Sequence, residues 1–259
     1  MTEWFPGPVE QSRRATRGTT PTRHRRRNPL AVVLGVVGEL LITAGVFLGL
    51  FVVWQLWWTD VEAHSEAATV LETFDDDAVE VPDVTVDEES KVTEDPPEVD
   101  IFADEAVFAA LRVPRWGSDY RVPIAQGVDL ATVLNKGYVG HYTETAMVGE
   151  VGNFSLAGHR LSYGSAFRNV DKLQVGDAIV VETSDNWYVY QVSDWHIVDP
   201  TAVEVIAPVP NEPGAEPTQR LLTLTSCHPL FSTEERYIVH AEFVYSAPKS
   251  AGTPAELEG

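Results

Sequence analysis

Polarity along the chain changes character several times, and each change predicts a different element. Residues 1–28 show no apolar periodicity and read as a disordered arm. Residues 30–54 then form an apolar run of 25 residues whose only polar interruptions are Glu39 and Thr43. About 20 apolar residues suffice to span a bilayer as a helix. Trp54, Trp57 and Trp58 close the run, and amphipathic rings favour the headgroup level. This predicts one transmembrane helix over residues 29–58. A signal peptide has a shorter apolar region, roughly 7–15 residues, followed by a small-x-small cleavage site, and no such site precedes the Trp cluster.

Beyond the Trp cluster the pattern becomes dense in acid and Pro. Residues 59–105 carry FDDD, VDEES and EDPPE, a composition that predicts a self-repelling, extended linker. From residue 106 to 246 it turns to short runs rich in Val, Ile, Tyr and Trp, separated by Gly, Pro and Asp. The runs at residues 107–113, 175–183, 186–198, 220–227 and 236–245 read as strands. Residues 129–135 and 165–170 are the plausible helices, both short. Mostly strand with few helices argues for an all-β barrel or sandwich. Residues 247–259 read as a disordered tail.

Charge sharpens this division. The chain has 259 residues and a formal net charge of −21, which argues against a nucleic-acid partner, because phosphate binding needs a basic footprint. The acid is concentrated: residues 60–110 hold 18 Asp and Glu against Lys91 alone. Seven Arg on the N-terminal side of the apolar run place that side in the cytoplasm and the remainder outside the cell membrane by the positive-inside rule. Glu39 lies within the span, where it is either a tolerated neutral carboxyl or a contact with a partner helix. One Cys excludes an intramolecular disulfide and any multi-thiolate metal site. No carboxylate cluster has metal-loop spacing, so no metal and no cofactor are expected.

The solitary thiol, Cys227, ends the strand-like run LLTLTSC and opens onto a loop, where a scaffold can present a reactive group. It is equally readable as a small buried hydrophobe. A thiol needs a base or positive neighbour to form a thiolate at neutral pH. His228 is adjacent, but successive strand residues point to opposite faces. His159, at the end of NFSLAGHR, is the better candidate. Arg236 begins the next strand nine residues after Cys227 and could bring a guanidinium to an oxyanion or substrate carbonyl. His141 could line a groove or pack structurally. His196 and His240 read as strand residues with local partners, and Trp116, Trp187 and Trp195 as packing. Asn153-Phe154-Ser155 matches a glycosylation sequon, a short pattern common by chance.

With these residues in view, TLTSCHPLFSTEERYIVH read together with AGHR resembles the sortase family of membrane-anchored cysteine transpeptidases, over about residues 111–244. The resemblance implies an eight-stranded β-barrel with Cys227, His159 and Arg236 as the catalytic trio. LRVPRWGSDYRVPI and GYVGHYTETAMVGEVGNFSLAGHR are most similar to class E, the housekeeping type of many actinobacteria. That class is associated with LAXTG-like rather than LPXTG sorting signals, and Tyr142 in its GHY segment is implicated in the preference. Thr225, Ser226 and His141 are implied substrate contacts. The chain departs from the family pattern at Ser226, where Thr is usual, and at Thr143-Glu144, where Pro is common.

The implied reaction cleaves the sorting signal between Thr and Gly through a Cys thioacyl intermediate. The protein is then passed to the amine of a peptidoglycan precursor or a pilin Lys. Partners would be surface proteins or pilins with a C-terminal sorting signal, the acceptor amine, and the membrane through residues 30–58. Two other readings stand beside it: a membrane-tethered β-domain that binds wall polymers without catalysis, and a different cysteine enzyme of the L,D-transpeptidase or papain kind. The former enzyme expects Gly before the Cys, and the latter expects the Cys on a helix.

Overall fold

The computed structural model of the protein describes Met1 and residues 29–258, so the basic arm and His24 lie outside the described residues. Two compact units are present, Met1–Leu50 and Phe51–Gly259. Apart from Met1, the described part of the first consists of turns of the helix α1 (Pro29–Asp76), with Leu34, Leu41 and Phe47 exposed. Among the described residues α1 is the one helix long and apolar enough to cross a membrane, with a mean hydropathy of 2.4 in its most apolar 18-residue window. That is compatible with a single-pass anchor.

The second unit is built on eight strands: β1 (Val107–Arg112), β2 (Arg121–Gln126), β3 (Val139–His141), β4 (Gly152–Ala157), β5 (Ala178–Glu182), β6 (Asn186–Val198), β7 (Arg220–His228) and β8 (Glu235–Pro248). They close into a barrel in the order β1-β2-β3-β4-β7-β8-β6-β5. This is the eight-stranded barrel that the sequence implied. Closure removes the exposed strand edges that would otherwise invite aggregation. Most neighbours are antiparallel; β2 with β3 and β4 with β7 are parallel. Leu111, Ile124, Phe154, Leu156, Tyr188, Tyr190, Leu222, Leu224 and Val239 fill the interior, each essentially inaccessible.

Several boundaries differ from expectation. α1 does not stop near residue 58 but continues to Asp76. Ala63, Ala67 and Leu71, spaced four apart on one helical face, are buried. Gly137 is what admits the helix: a Cβ there would lie 3.2 Å from the Ala63 Cβ. Residues 77–105 are likewise not a free stalk. Val92 and Thr85 form isolated β-bridges to Ser246 and Thr253, and the Tyr188 hydroxyl donates to the Pro97 carbonyl at 2.8 Å. Val81 and Val86 pack against Trp187 and Tyr245, so alternating Val residues outweigh the acid between them.

The tail is also ordered. β8 runs on to Pro248, 3-10 turns follow at Lys249–Ala251 and Ala255–Leu257, and Lys249 is buried. The helices expected at 129–135 and 165–170 reduce to 3-10 turns at Leu134–Lys136 and Val170–Lys172. At the first, the Asp129 carboxylate accepts from the N–H groups of Ala131 and Thr132, and left-handed Gly137 ends the turn.

One buried carboxylate joins these additions to the barrel. Glu182 on β5, 3% exposed, accepts from Arg112 Nε at 2.7 Å, Arg121 Nε at 3.0 Å and Lys249 Nζ at 2.8 Å. Arg121 also grips Asp75 at the end of α1. Burial opposes ionisation of Glu182, yet the charges of Arg112, Arg121 and Lys249 outweigh it and hold the carboxyl below its ordinary range. A depressed carboxyl contributes stability that is fully present above its unfolded value, about pH 4.3, and is lost as the pH falls through the folded value. Glu182→Ala strands these cations, so urea unfolding should show a loss of about 3–5 kcal/mol at pH 7. The native protein should lose that advantage over the variant on acidification; a loss under about 1 kcal/mol at pH 7 would contradict the arrangement.

Candidate active site

The site is assembled by the parallel pairing of β4 with β7. In that register Leu156 lies opposite Leu224 and Ala157 opposite Thr225. The pairing continues one residue past β4, where Gly158 N donates to the Thr225 carbonyl at 3.2 Å. Ser226 Oγ then donates to the Gly158 carbonyl at 2.9 Å. His159 and Cys227 each lie two residues beyond the Ala157–Thr225 pair, so parallel strands bring both to the same rim of the barrel. Gly158 permits the turn away from the strand because a Cβ there would meet the Phe167 ring at 2.8 Å.

Cys227 and His159 line one cleft of about 590 Å³, walled by Leu161 and Ser162 on one side and by Pro229 and the Phe231–Glu234 loop on the other. Both are half-buried. The imidazole Nε2 faces Asn135 Oδ1 at 2.8 Å. An amide oxygen only accepts, so Nε2 carries the proton and Nδ1 carries the lone pair. Burial pushes the His159 pKa below its ordinary 6.5, which leaves the ring neutral at physiological pH and able to accept a proton.

Arg236 is the cross-strand partner of Cys227 in the β7–β8 ladder. Its guanidinium donates to the carbonyls of Thr233 and Glu235 at 3.0 Å each, and is thereby folded onto the loop that walls the cleft. His228, on the opposite face of β7, presents Nδ1 to Arg160 at 3.0 Å and is not turned toward the thiol.

The four residues implied as substrate contacts separate into two pairs. Thr225 shares the β7 face of Cys227, two residues away. Its hydroxyl donates to the Leu156 carbonyl at 3.2 Å and accepts from Tyr142 Oη at 3.0 Å. Tyr142 is half-exposed beside it. Ser226 and His141 lie on the inward side, and Thr225 itself is only 7% exposed. Ser226 points to the other face and is 3% exposed. His141 is fully enclosed, with Nε2 donating to the Ala146 carbonyl at 3.1 Å and Nδ1 facing the Gln126 side-chain amide at 2.9 Å. Burial pushes its pKa down to about 4, and it acts as a neutral strut beneath Tyr142. Asn153 of the sequon is buried and bonded to the Val205 and Ala207 carbonyls, so glycosylation has no access. No metal-ligand cluster occurs among the described residues.

Two residues of the site went unweighed in the sequence. Asn135 sits in a 3-10 turn with no motif to mark it. Arg160 stands in the AGHR string itself, but its burial between His159 and Cys227 follows only from the barrel. The Asn135 contact has a direct spectroscopic consequence. Nitrogen-detected NMR of the native protein should show His159 as the Nε2–H tautomer with a titration midpoint below pH 6.5, and Asn135→Ala should abolish the tautomer preference. A midpoint above 6.5 in the native protein would contradict the site as described.

Comparison with known proteins follows this geometry. The family model described as "Sortase domain" matches residues 111–244. The chain is 39% identical to Sortase SrtE1 of Streptomyces coelicolor over 241 residues, which cover 90% of this chain and 64% of that relative. The chain thus spans a little under two thirds of that relative's length. Among solved structures, the SrtA sortase from Actinomyces oris is 44% identical with a TM-score of 0.62, covering 64% of this chain and 95% of its own. Sortase E1 from Streptomyces coelicolor, solved with a tripeptide in its active site, is 41% identical with a TM-score of 0.55, covering 60% and 99%.

Proposed function

The chain belongs to the sortase family, and from that premise we propose that it is a membrane-anchored cysteine transpeptidase whose nucleophile is Cys227. The observation that carries the assignment is the shared cleft of Cys227 and His159 at the C-terminal ends of two parallel strands. A thiol and a neutral imidazole with a free Nδ1 form the minimum set for thiol acyl transfer.

In the proposed reaction His159 Nδ1 takes the Cys227 proton and the thiolate adds to the Thr carbonyl of a sorting signal. The tetrahedral intermediate collapses by breaking the Thr–Gly bond. His159 returns the proton to the departing Gly amine, leaving a thioacyl enzyme. An acceptor amine then adds to the thioester, His159 removes its proton, and Cys227 departs as the thiolate. Arg236 would exchange a loop carbonyl for the substrate carbonyl and so stabilise the oxyanion. Its register opposite Cys227 supports that role.

A peptide extended along the β7 face that carries Thr225 and Cys227 would meet the Tyr142 hydroxyl two residues from the thiol. This supports an LAXTG-like signal, with LPXTG the close variant, read in part by Tyr142. The acceptor would be a cell-wall precursor amine or a pilin Lys. The basic arm before the apolar helix supports a cytoplasmic N-terminus and an extracellular barrel.

Incubation with an LAXTG peptide and a glycine-based amine should yield an amine-dependent ligated product. Cys227→Ala should eliminate it. Arg236→Ala should lower turnover about 100-fold or more, the usual effect of losing an oxyanion donor. Ligation retained by Cys227→Ala would overturn the proposal.

A further inference from the structure

The ladder that builds the site also leaves a gap in it. In a parallel pair, alternate residues turn both main-chain groups toward the same neighbour. The Thr225 carbonyl faces β4, where Gly158 N meets it. Two residues on, the Cys227 carbonyl faces the same way, but β4 has already left the sheet. The group found there is the Arg160 guanidinium, with Nη1 donating to the Cys227 carbonyl at 3.3 Å. A side chain two residues past Gly158 thus supplies the donor that the missing strand would have given.

That guanidinium is held at both terminal nitrogens, while its buried Nε faces no hydrogen-bond partner among the described residues. Arg160 is 3% exposed, its Nη2 is paired with the Asp171 carboxylate at 2.7 Å, and its central carbon lies 5.7 Å from the Tyr237 ring centroid. Nη1 also donates to His228 Nδ1 at 3.0 Å. A guanidinium offers no acceptor, so His228 must present a lone pair at Nδ1 and carry its proton on Nε2. The imidazole nearest in sequence to the thiol is therefore engaged by Arg160 and turned away from the thiol.

We propose that Arg160 is a positioning residue for the transfer reaction: its buried guanidinium substitutes for the ladder donor at the Cys227 carbonyl, setting the nucleophile's main chain against His159, and keeps His228 out of proton transfer. This rests on the transpeptidase reading above. Arg160 borders the cleft, and the role assigned to it acts on the Cys227 main chain rather than on substrate. The physical basis is that reacting groups must be held to within a fraction of an ångström, and a misplacement of about 1 Å can cost on the order of 100-fold in rate.

The test is steady-state ligation with an LAXTG peptide together with thermal unfolding of each variant. Arg160→Met should lower kcat about 30- to 100-fold with KM for the peptide within about twofold, because the interaction acts on the reacting geometry and not on ground-state binding. Arg160→Lys, which returns one charged donor, should recover at least about a third of the lost factor on a logarithmic scale. His228→Asn places an amide oxygen where Nδ1 stands and should keep activity within about threefold.

Arg160→Met at native-like kcat overturns the inference, as does a rise in KM at unchanged kcat. Inactivity of His228→Asn would place His228 in the chemistry and overturn it as well. If Arg160→Met does not fold, Asp171→Ala retains the guanidinium but removes its tether. It should lower kcat about tenfold at unchanged KM, and an unchanged kcat overturns the inference. A native protein that forms no ligated product at all would count against the transpeptidase reading instead.

Discussion

Everything chemical in this molecule depends on two strands lying side by side and running the same way. Parallel neighbours must be joined by a long crossover, and here β5 and β6 intervene between β4 and β7. The return is that the C-terminal ends of both strands reach the same rim. Cys227 and His159 are 68 positions apart in sequence, yet each is two residues past a register pair. The antiparallel β8 sets Arg236 directly across from Cys227 in the ladder. The rigid barrel sets the spacing, and the loops supply access.

That dependence explains what could be read in advance. The run at 186–198 is dense in aromatic and β-branched residues and the run at 220–227 alternates Leu with Thr, and β6 occupies its run to the residue. Cys227 and His159 were legible as types at strand ends. Their proximity was not, because it is a non-local pairing that no window of sequence contains. The same limit hid Asn135, which reaches His159 from a turn 24 residues upstream. His141 and Ser226 are buried for a simpler reason. Each neighbours a residue on the open face, and a period of two then sends it inward.

The acidic zone failed in the opposite way, by too much weight on composition. Dense like charge suggested an extended stalk, but the helix continues through residues 59–76 because Ala63, Ala67 and Leu71 share one face. A few of the acidic residues are paired with cations of the barrel: Asp75 with Arg121, Glu66 with Lys136, Asp95 with Arg220. Asp60 accepts from Gly164 N at 3.0 Å in the loop that follows His159. Lys136 adjoins Asn135, which holds the imidazole. The segment read as a spacer is therefore packed against both loops that position His159.

The central claim is that this barrel rim exists to make and break one thioester. Its most direct measurement is the intact mass of the native chain, acid-quenched during turnover of an LAXTG peptide and then mapped by proteolysis. The account predicts a mass increase equal to the acyl part ending in Thr, located on the peptide that contains Cys227. No adduct under conditions in which the peptide is consumed, or an adduct on any other residue, would contradict it.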